Sequence, residues 1–341
     1  MTAVDPMFRE SRELILLSDA GMITAPPALV RAGLETLPAT IAAAGPRTSE
    51  RFIDFFTANI RNRNTRMGYA LAVRQFFNWC ERRSLQLEAI RPTTVADYVQ
   101  QLGTDMAKPS VKQHLAAIRQ LFDYLVTGGI LLSNPAGAVR GPKYVVKRGK
   151  TPVLSADQAR QLLDSIDVAE LSGLRDRALI GVMVFTFARV TAVTTMRVED
   201  YFEHGKRAWL RLHEKGGKRH EVPCHHNLTE YLDAWIQAAK IAADKKKPLF
   251  RAIRKGNKLT ENQMAREDVL AMIKRRAAGA ALPYSTCCHT FRATGITTYL
   301  QNGGTLEHAQ QIAAHESPRT TKLYDRTQDE ISLDEVERIR I

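Results

Sequence analysis

The stretch His289-Thr290-Phe291-Arg292, followed by Ala314-His315 and by Thr320-Thr321-Lys322-Leu323-Tyr324, decides how the rest of the chain is read. A helix puts residues three apart on one face, so the His289 imidazole and the Arg292 guanidinium can grip one anion. His315 comes 26 residues after His289, past an apolar helical pattern at Leu306, Ala309, Ile312 and Ala313, and Tyr324 follows nine residues later. A phosphodiester gains charge on its two non-bridging oxygens as its phosphorus becomes five-coordinate. Guanidinium and imidazole donors stabilise that charge, and a tyrosine hydroxyl among them can be the nucleophile. Tyr284 and Tyr299 compete for that role, but Tyr299 falls on the same helical pattern as Arg292 and lacks the helix-then-loop setting of Tyr324.

Moving toward the N-terminus, the chain supplies more cations. Ser155-x-x-Gln158 is a capping box that opens a helical pattern running to Phe187, and Arg189 follows at its end. Arg207–His213 and Arg219–Cys224 flank Lys215-Gly216-Gly217 and read as a β-hairpin whose glycines supply the positive-φ turn. Helices resume after Thr229 and are expected to dominate to the end. Residues 155–330 thus read as a mostly helical domain with a small sheet inserted.

The preceding segment is all helical. Tyr69, Val73, Phe76, Phe77 and Cys80 form one helix face, and Val111, Leu115, Ile118, Leu121 and Leu125 form a second behind a Ser110 cap. Shorter helices are expected over 50–60 and over 94–102, the latter opening on Thr94-x-x-Asp97. Residues 49–134 therefore form an all-α domain, 135–154 a basic linker, 1–48 a loosely ordered Ala/Pro-rich extension with one short helix, and 331–341 an amphipathic tail that could contact a neighbouring protomer.

Charge says what this chain meets. The 341 residues hold 49 Lys and Arg against 36 Asp and Glu, a net +13, which points to a polyanionic partner. The surplus is concentrated: residues 51–150 hold 16 basic and 6 acidic side chains, residues 1–50 hold 4 and 6, and residues 151–341 hold 29 and 24. Arg61, Arg63, Arg66, Arg74, Lys112 and Arg119 are candidate DNA contacts on the helices, and Lys143, Lys147, Arg148 and Lys150 on the linker. No apolar run approaches the ~20 residues of a membrane helix, and the N-terminus lacks the pattern of a signal peptide. A cytoplasmic protein with reduced cysteines is expected.

Other chemistries find less support. No G-x-x-x-x-G-K-[ST] loop is present to cradle a nucleotide. The clusters Cys224-His225-His226 and Cys287-Cys288-His289 lack the spacing of tetrahedral zinc ligands, so no metal site and no cofactor are expected. Singly, each basic residue has an ordinary structural reading, and their joint order carries the argument.

That order resembles the tyrosine recombinase family of phage integrase type, over residues from about 49 to 330. Phe187-Ala188-Arg189 looks like the family's first catalytic arginine, the segment Glu214–Pro223 like its hairpin lysine motif with Lys215, and His289-Thr290-Phe291-Arg292 like its H-x-x-R box. Ala314-His315 is similar to its second histidine box and Tyr324 to its nucleophile. The resemblance implies an all-α core-binding domain followed by an α+β catalytic domain, closing as a clamp on double-stranded DNA. It implies a site-specific recombinase acting through a 3′-phosphotyrosyl intermediate without metal or ATP, as a tetramer, with an accessory DNA-bending protein as a further partner. The alternatives are a catalytically weak or silent DNA-binding relative and a type IB topoisomerase-like enzyme. Two departures bear on activity: the family commonly has glycine where this chain has Phe187 and Ala314, and an acid where it has Ala192.

Overall fold

The computed structural model describes residues 30, 34–146, 149–214, 217 and 219–325. Lys147, Arg148, Lys215, residues 1–29 of the extension and the tail over 331–341 lie outside the described residues. The chain divides into two compact units, 1–145 and 146–341.

The first unit is helical: α1 (Ala39–Ala43), α2 (Pro46–Asp54) continuing into a π turn (Phe55–Asn59), α3 (Arg63–Glu81), α4 (Pro92–Asp105) and α5 (Lys108–Thr127). The Asn62 side chain starts α3 by accepting from the Asn64 and Thr65 N–H groups. The apolar stripes predicted on α3 and α5 meet in a core where Phe52, Phe55, Phe56, Phe76, Phe77 and Phe122 are fully buried. Their rings contact edge to face, with centroids 4.8 to 6.1 Å apart.

Four boundaries differ from the sequence reading. Residues 34–48 are not a loose extension, because Leu34 and Ile41 enter the core and Gly45, at φ 98°, turns the chain into α2. The short helix expected in this extension is α1, whose bounds the sequence hides because five residues are too few to show periodicity. The helix α4 starts at Pro92 rather than Thr94; Thr94 Oγ1 instead accepts the Arg91 N–H at 3.2 Å. The helix α5 starts at Lys108 with Pro109 in its first turn rather than behind Ser110. The linker does not begin loose at 135: Asn134 bonds Asp123 Oδ1 at 2.6 Å and the Ala136 N–H at 2.7 Å, and Ala136 and Val139 are buried.

The second unit follows the order α6 (Ala156–Asp164), α7 (Leu171–Phe185), α8 (Val190–Thr194), β1 (Tyr201–His204), β2 (Arg207–His213), β3 (Arg219–Pro223), α9 (His226–Ala239), β4 (Arg251–Arg254), β5 (Lys258–Gln263), α10 (Arg266–Gly279), α11 (Cys288–Gln301), α12 (Leu306–Ile312) and α13 (Pro318–Lys322). The Ser155–Gln158 capping box forms as read, with bonds of 3.1 and 2.9 Å. The hairpin of β2 and β3 has the antiparallel register Leu210↔Val222 and Leu212↔His220, and β1 adds a third strand on the other edge of β2. A second, two-stranded sheet of β4 and β5 stands in the part of the chain where helices were expected to dominate. Its turn residues Gly256 and Asn257 both have positive φ, the conformation of a tight hairpin. That dipeptide was the available signal, and the charged flanking strands masked it.

Away from the recombinase-like motifs, Asp176 of α7 is fully buried and gathers three arginines, the outermost being the exposed Arg275 at 3.8 Å. One carboxylate oxygen accepts from Arg175 at 2.7 Å and the other from Arg276 of α10 at 2.8 Å, while Arg175 also donates to the Arg251 carbonyl at 3.1 Å. This network ties α7, α10 and β4 together. Asp176→Ala leaves two poorly solvated guanidinium groups without their anion, and should lower unfolding free energy by about 3–5 kcal/mol in urea denaturation. No helix among the described residues is long and apolar enough to cross a membrane.

Candidate active site

The site is built around Arg292, which α11 carries into the interior at 1% exposure. Its Nη1 donates to the Phe187 carbonyl and its Nη2 to the Ala313 carbonyl at 2.5 Å. Both carbonyls belong to helix ends. The helix α12 closes in a Schellman motif: the Ala314 N–H bonds the Gln311 carbonyl at 3.0 Å and the His315 N–H bonds that of Gln310 at 3.1 Å, with Ala314 at φ 47°. Phe187, two residues past the end of α7, is left-handed as well, at φ 55°. The two positions where the resemblance leads one to expect glycine are therefore the two left-handed ones, where a side chain costs roughly 1–2 kcal/mol. At Phe187 the ring offsets this by burial against Gly295, whose absent Cβ would stand 2.7 Å from Phe187 Cδ1.

Tyr324 follows α13 and is buried. Its hydroxyl lies 2.6 Å from His289 Nε2, within hydrogen-bond reach, and its ring lies parallel to His315, with centroids 5.8 Å apart and planes at 8°. Thr297 Oγ1 donates to the Tyr324 carbonyl at 2.8 Å, and the His315 Nδ1 and Thr321 Oγ1 pair at 2.9 Å. Burial, then the charges of Arg292 and Arg189, hold the His289 imidazole below its ordinary range and push His315 down to about 3. Burial raises the Tyr324 phenol, while the same two arginines and a hydrogen bond to Arg292 pull it back. At neutral pH the arrangement is thus a phenol beside two neutral imidazoles, one of them within hydrogen-bond reach of its hydroxyl.

Arg189 precedes α8 and pairs through Nη1 with Glu214 Oε2. Glu214 follows β2 on the inward register of Leu210 and Leu212, and its side chain is 3% exposed. Ala192, one turn beyond Arg189, is buried and brings no charge. The anion missing at Ala192 is therefore supplied from the sheet. Sequence reasoning missed Glu214, and the signal was its place: a carboxylate on the apolar face of a strand, directly before Lys215. Thr297 and Thr321 carried no comparable signal.

Arg189, His289, Arg292, His315 and Tyr324 are brought together in one site; Lys215 lies outside the described residues. On the first unit, Arg61, Arg63, Arg74 and Lys112 are exposed, as are Lys143 and Lys150. Arg66 and Arg119 are not the outward-facing contacts expected. Arg66 bonds the Ile60 carbonyl at 2.8 and 3.1 Å, and Arg119 donates to the Ala136 carbonyl at 3.1 Å and to that of Val139. Both close irregular backbone next to a helix. Cys224 and Cys288 are neutral thiols, pushed up to about 12 and 11 by burial, and His225 stacks on Phe185 at 4.4 Å. Among the described residues no group of three or more metal-ligating side chains converges.

Residues 152–330 match the phage integrase family, and residues 50–129 match the phage integrase N-terminal SAM-like domain. Among curated relatives, the tyrosine recombinase XerC of Pelobacter propionicus is 32% identical over 232 residues, covering 67% of this chain and 72% of the relative. The XerC of Vibrio vulnificus is 26% identical over 238 residues, covering 68% and 72%. Among solved structures, XerH recombinase in a pre-cleavage complex with its difH substrate superposes with a TM-score of 0.64 at 16% identity, covering 89% of this chain and 97% of that one. A lambda integrase dimer on a core site gives 0.63 at 17% identity, covering 84% and 98%. These two likenesses establish the fold, and the family match together with the XerC relative establishes that the chain belongs to the phage integrase family of tyrosine recombinases.

Two outcomes follow from the site. Glu214→Gln should lower the rate of covalent DNA attachment by about tenfold or more, in keeping with loss of a buried charge partner. Adding Ala192→Asp should restore part of that rate, which single-turnover assays of the single and double variants would measure. His315 takes up a proton near pH 6.5 when unfolded but only near 3 when folded. Between those values the unfolded chain binds more protons, so stability falls on acidification, by roughly 1 kcal/mol per pH unit. His315→Asn should flatten that part of the melting-temperature profile.

Proposed function

We propose that Tyr324 is the nucleophile of a site-specific DNA recombinase. The observation that carries this reading is the 2.6 Å contact of its hydroxyl with His289 Nε2 beside the buried cation Arg292. Tyr324 Oη attacks the scissile phosphorus while its proton passes to His289. A 3′-phosphotyrosyl bond forms, and the bond to the 5′-oxygen breaks. Lys215 delivers the proton that makes this leaving group a 5′-hydroxyl. Arg189 and Arg292 balance the charge on the non-bridging oxygens, and His315 donates to one of them. A 5′-hydroxyl from another strand then reverses the step, so the ester conserves the energy of the broken bond and neither ATP nor a metal ion is required.

Exposed Arg61, Arg63, Arg74, Lys112, Lys143 and Lys150 suit contacts to DNA phosphates, to which Lys147 and Arg148 would add. Lambda integrase has been solved as a tetramer bound to a Holliday junction, which supports four protomers acting on two sites. We assign the protein to the cytoplasm, associated with the nucleoid, with an accessory DNA-bending protein as a further partner.

The test uses a nicked suicide duplex carrying a site recovered by the wild-type chain from a randomised pool. Wild type should form a protein–DNA adduct on a denaturing gel in the presence of EDTA, and Tyr324→Phe should form none. An adduct from the variant, or dependence on a divalent ion, would refute the mechanism. Strand exchange between two labelled sites separates recombination from topoisomerase-like relaxation.

A further inference from the structure

The backbone around Tyr324 is held by more than its own segment. The Tyr324 N–H bonds the Thr321 carbonyl at 2.9 Å, and the Tyr324 carbonyl accepts from Thr297 of α11 at 2.8 Å. The peptide unit that joins Leu323 to Tyr324 has a third tether, at its oxygen: the Gly149 N–H donates to the Leu323 carbonyl at 2.9 Å. Because a peptide unit is planar, fixing its oxygen and its N–H fixes its orientation, and the Thr297 bond to the Tyr324 carbonyl fixes the next unit, so that together they set the direction in which the Tyr324 Cα–Cβ bond leaves. Gly149 belongs to the basic stretch that precedes the second unit's first helix, and two further residues of that stretch are anchored beside the site. Val153 packs on the cluster that contains Phe187 and Tyr324, and the Leu154 N–H bonds Thr294 Oγ1, between Arg292 and Thr297 on α11, at 3.0 Å.

The approach leaves no room for a side chain. A Cβ on Gly149 would stand 2.6 Å from the Leu323 carbonyl oxygen and 3.4 Å from its carbon, both backbone atoms that cannot rotate away. The geometry therefore points to a function for a residue outside every catalytic motif: we propose that Gly149 is a positioning residue, whose bare backbone straps the Leu323–Tyr324 peptide and so aims the Tyr324 hydroxyl at His289. The strap sits next to Lys150 in the basic stretch, so DNA phosphates that draw this stretch would act on the nucleophile's backbone directly. This inference rests on Tyr324 being the nucleophile.

The test compares full-length wild type, Gly149→Ala and Gly149→Val on the same nicked duplex, with DNA affinity measured by fluorescence anisotropy. Misplacing a reacting group by about 1 Å can cost a hundredfold in rate. Gly149→Val should therefore lose adduct formation by about that factor and Gly149→Ala by a smaller one, while affinity stays within about threefold. Hydrogen exchange read on the Tyr324 and Asp325 amides should accelerate by about tenfold in both variants, with a cooperative melt retained. Adduct formation and exchange at wild-type rates in both variants would overturn the proposal. If wild type itself formed no adduct, the nucleophile assignment would fall, and the strap would then be judged on exchange alone: unchanged exchange would overturn it too.

Discussion

A guanidinium carried to 1% exposure is the constraint on which the catalytic unit depends. Removing such a charge from water costs several kcal/mol unless acceptors surround it, and Arg292 finds two of them in carbonyls that close different helices. Hydrogen bonds to a charged donor contribute about 1.5–3 kcal/mol each, enough to offset the left-handed conformations of Phe187 and Ala314 that aim those carbonyls. The charge thereby fixes three segments relative to one another: the end of α7, the body of α11 and the end of α12. Arg189, His289 and His315 sit on or beside those segments, so the same hydrogen bonds that bury the cation also assemble the site.

The two arginines then set the protonation of everything near them. They and burial act in the same direction on His289 and His315, keeping both imidazoles neutral, and in opposite directions on Tyr324. A neutral imidazole against a phenol is the arrangement needed to take a proton as the phenol becomes a nucleophile. Glu214 tempers the arrangement by pairing Arg189, and it does so from a strand rather than from the helix that follows the arginine. Electrostatics depends on where a charge ends up, so a carboxylate reaching Arg189 from the sheet can do the work of one reaching it along α8.

Much of this could be read in the chain. The stripes of α3 and α5, the Ser155 capping box and the hairpin flanking residues 215–217 follow from local periodicity, capping and turn chemistry, which need only neighbours in sequence. The spacing of Arg189, His289, Arg292, His315 and Tyr324 marked a phosphate site for the same reason, since each motif is short. The bounds of the short helix at Ala39–Ala43 escaped because five residues show no period, and the hairpin of β4 and β5 escaped because its charged strands show no alternation.

What sequence alone determined, then, was the list of groups and the helices that bear them: cations, imidazoles and a tyrosine in a fixed order, and a basic helical module ahead of them. Only the tertiary structure decided how those groups are supported. Arg66 and Arg119 turned inward to carbonyls, Glu214 replaced an acid absent from Ala192, and Gly149 came to lie on the Leu323 peptide. Each of these is a contact between residues brought together by folding, with the outcome settled by which buried donor or acceptor would otherwise lack a partner. Local sequence fixes which groups need satisfying, and only the packed chain determines which partners are within reach.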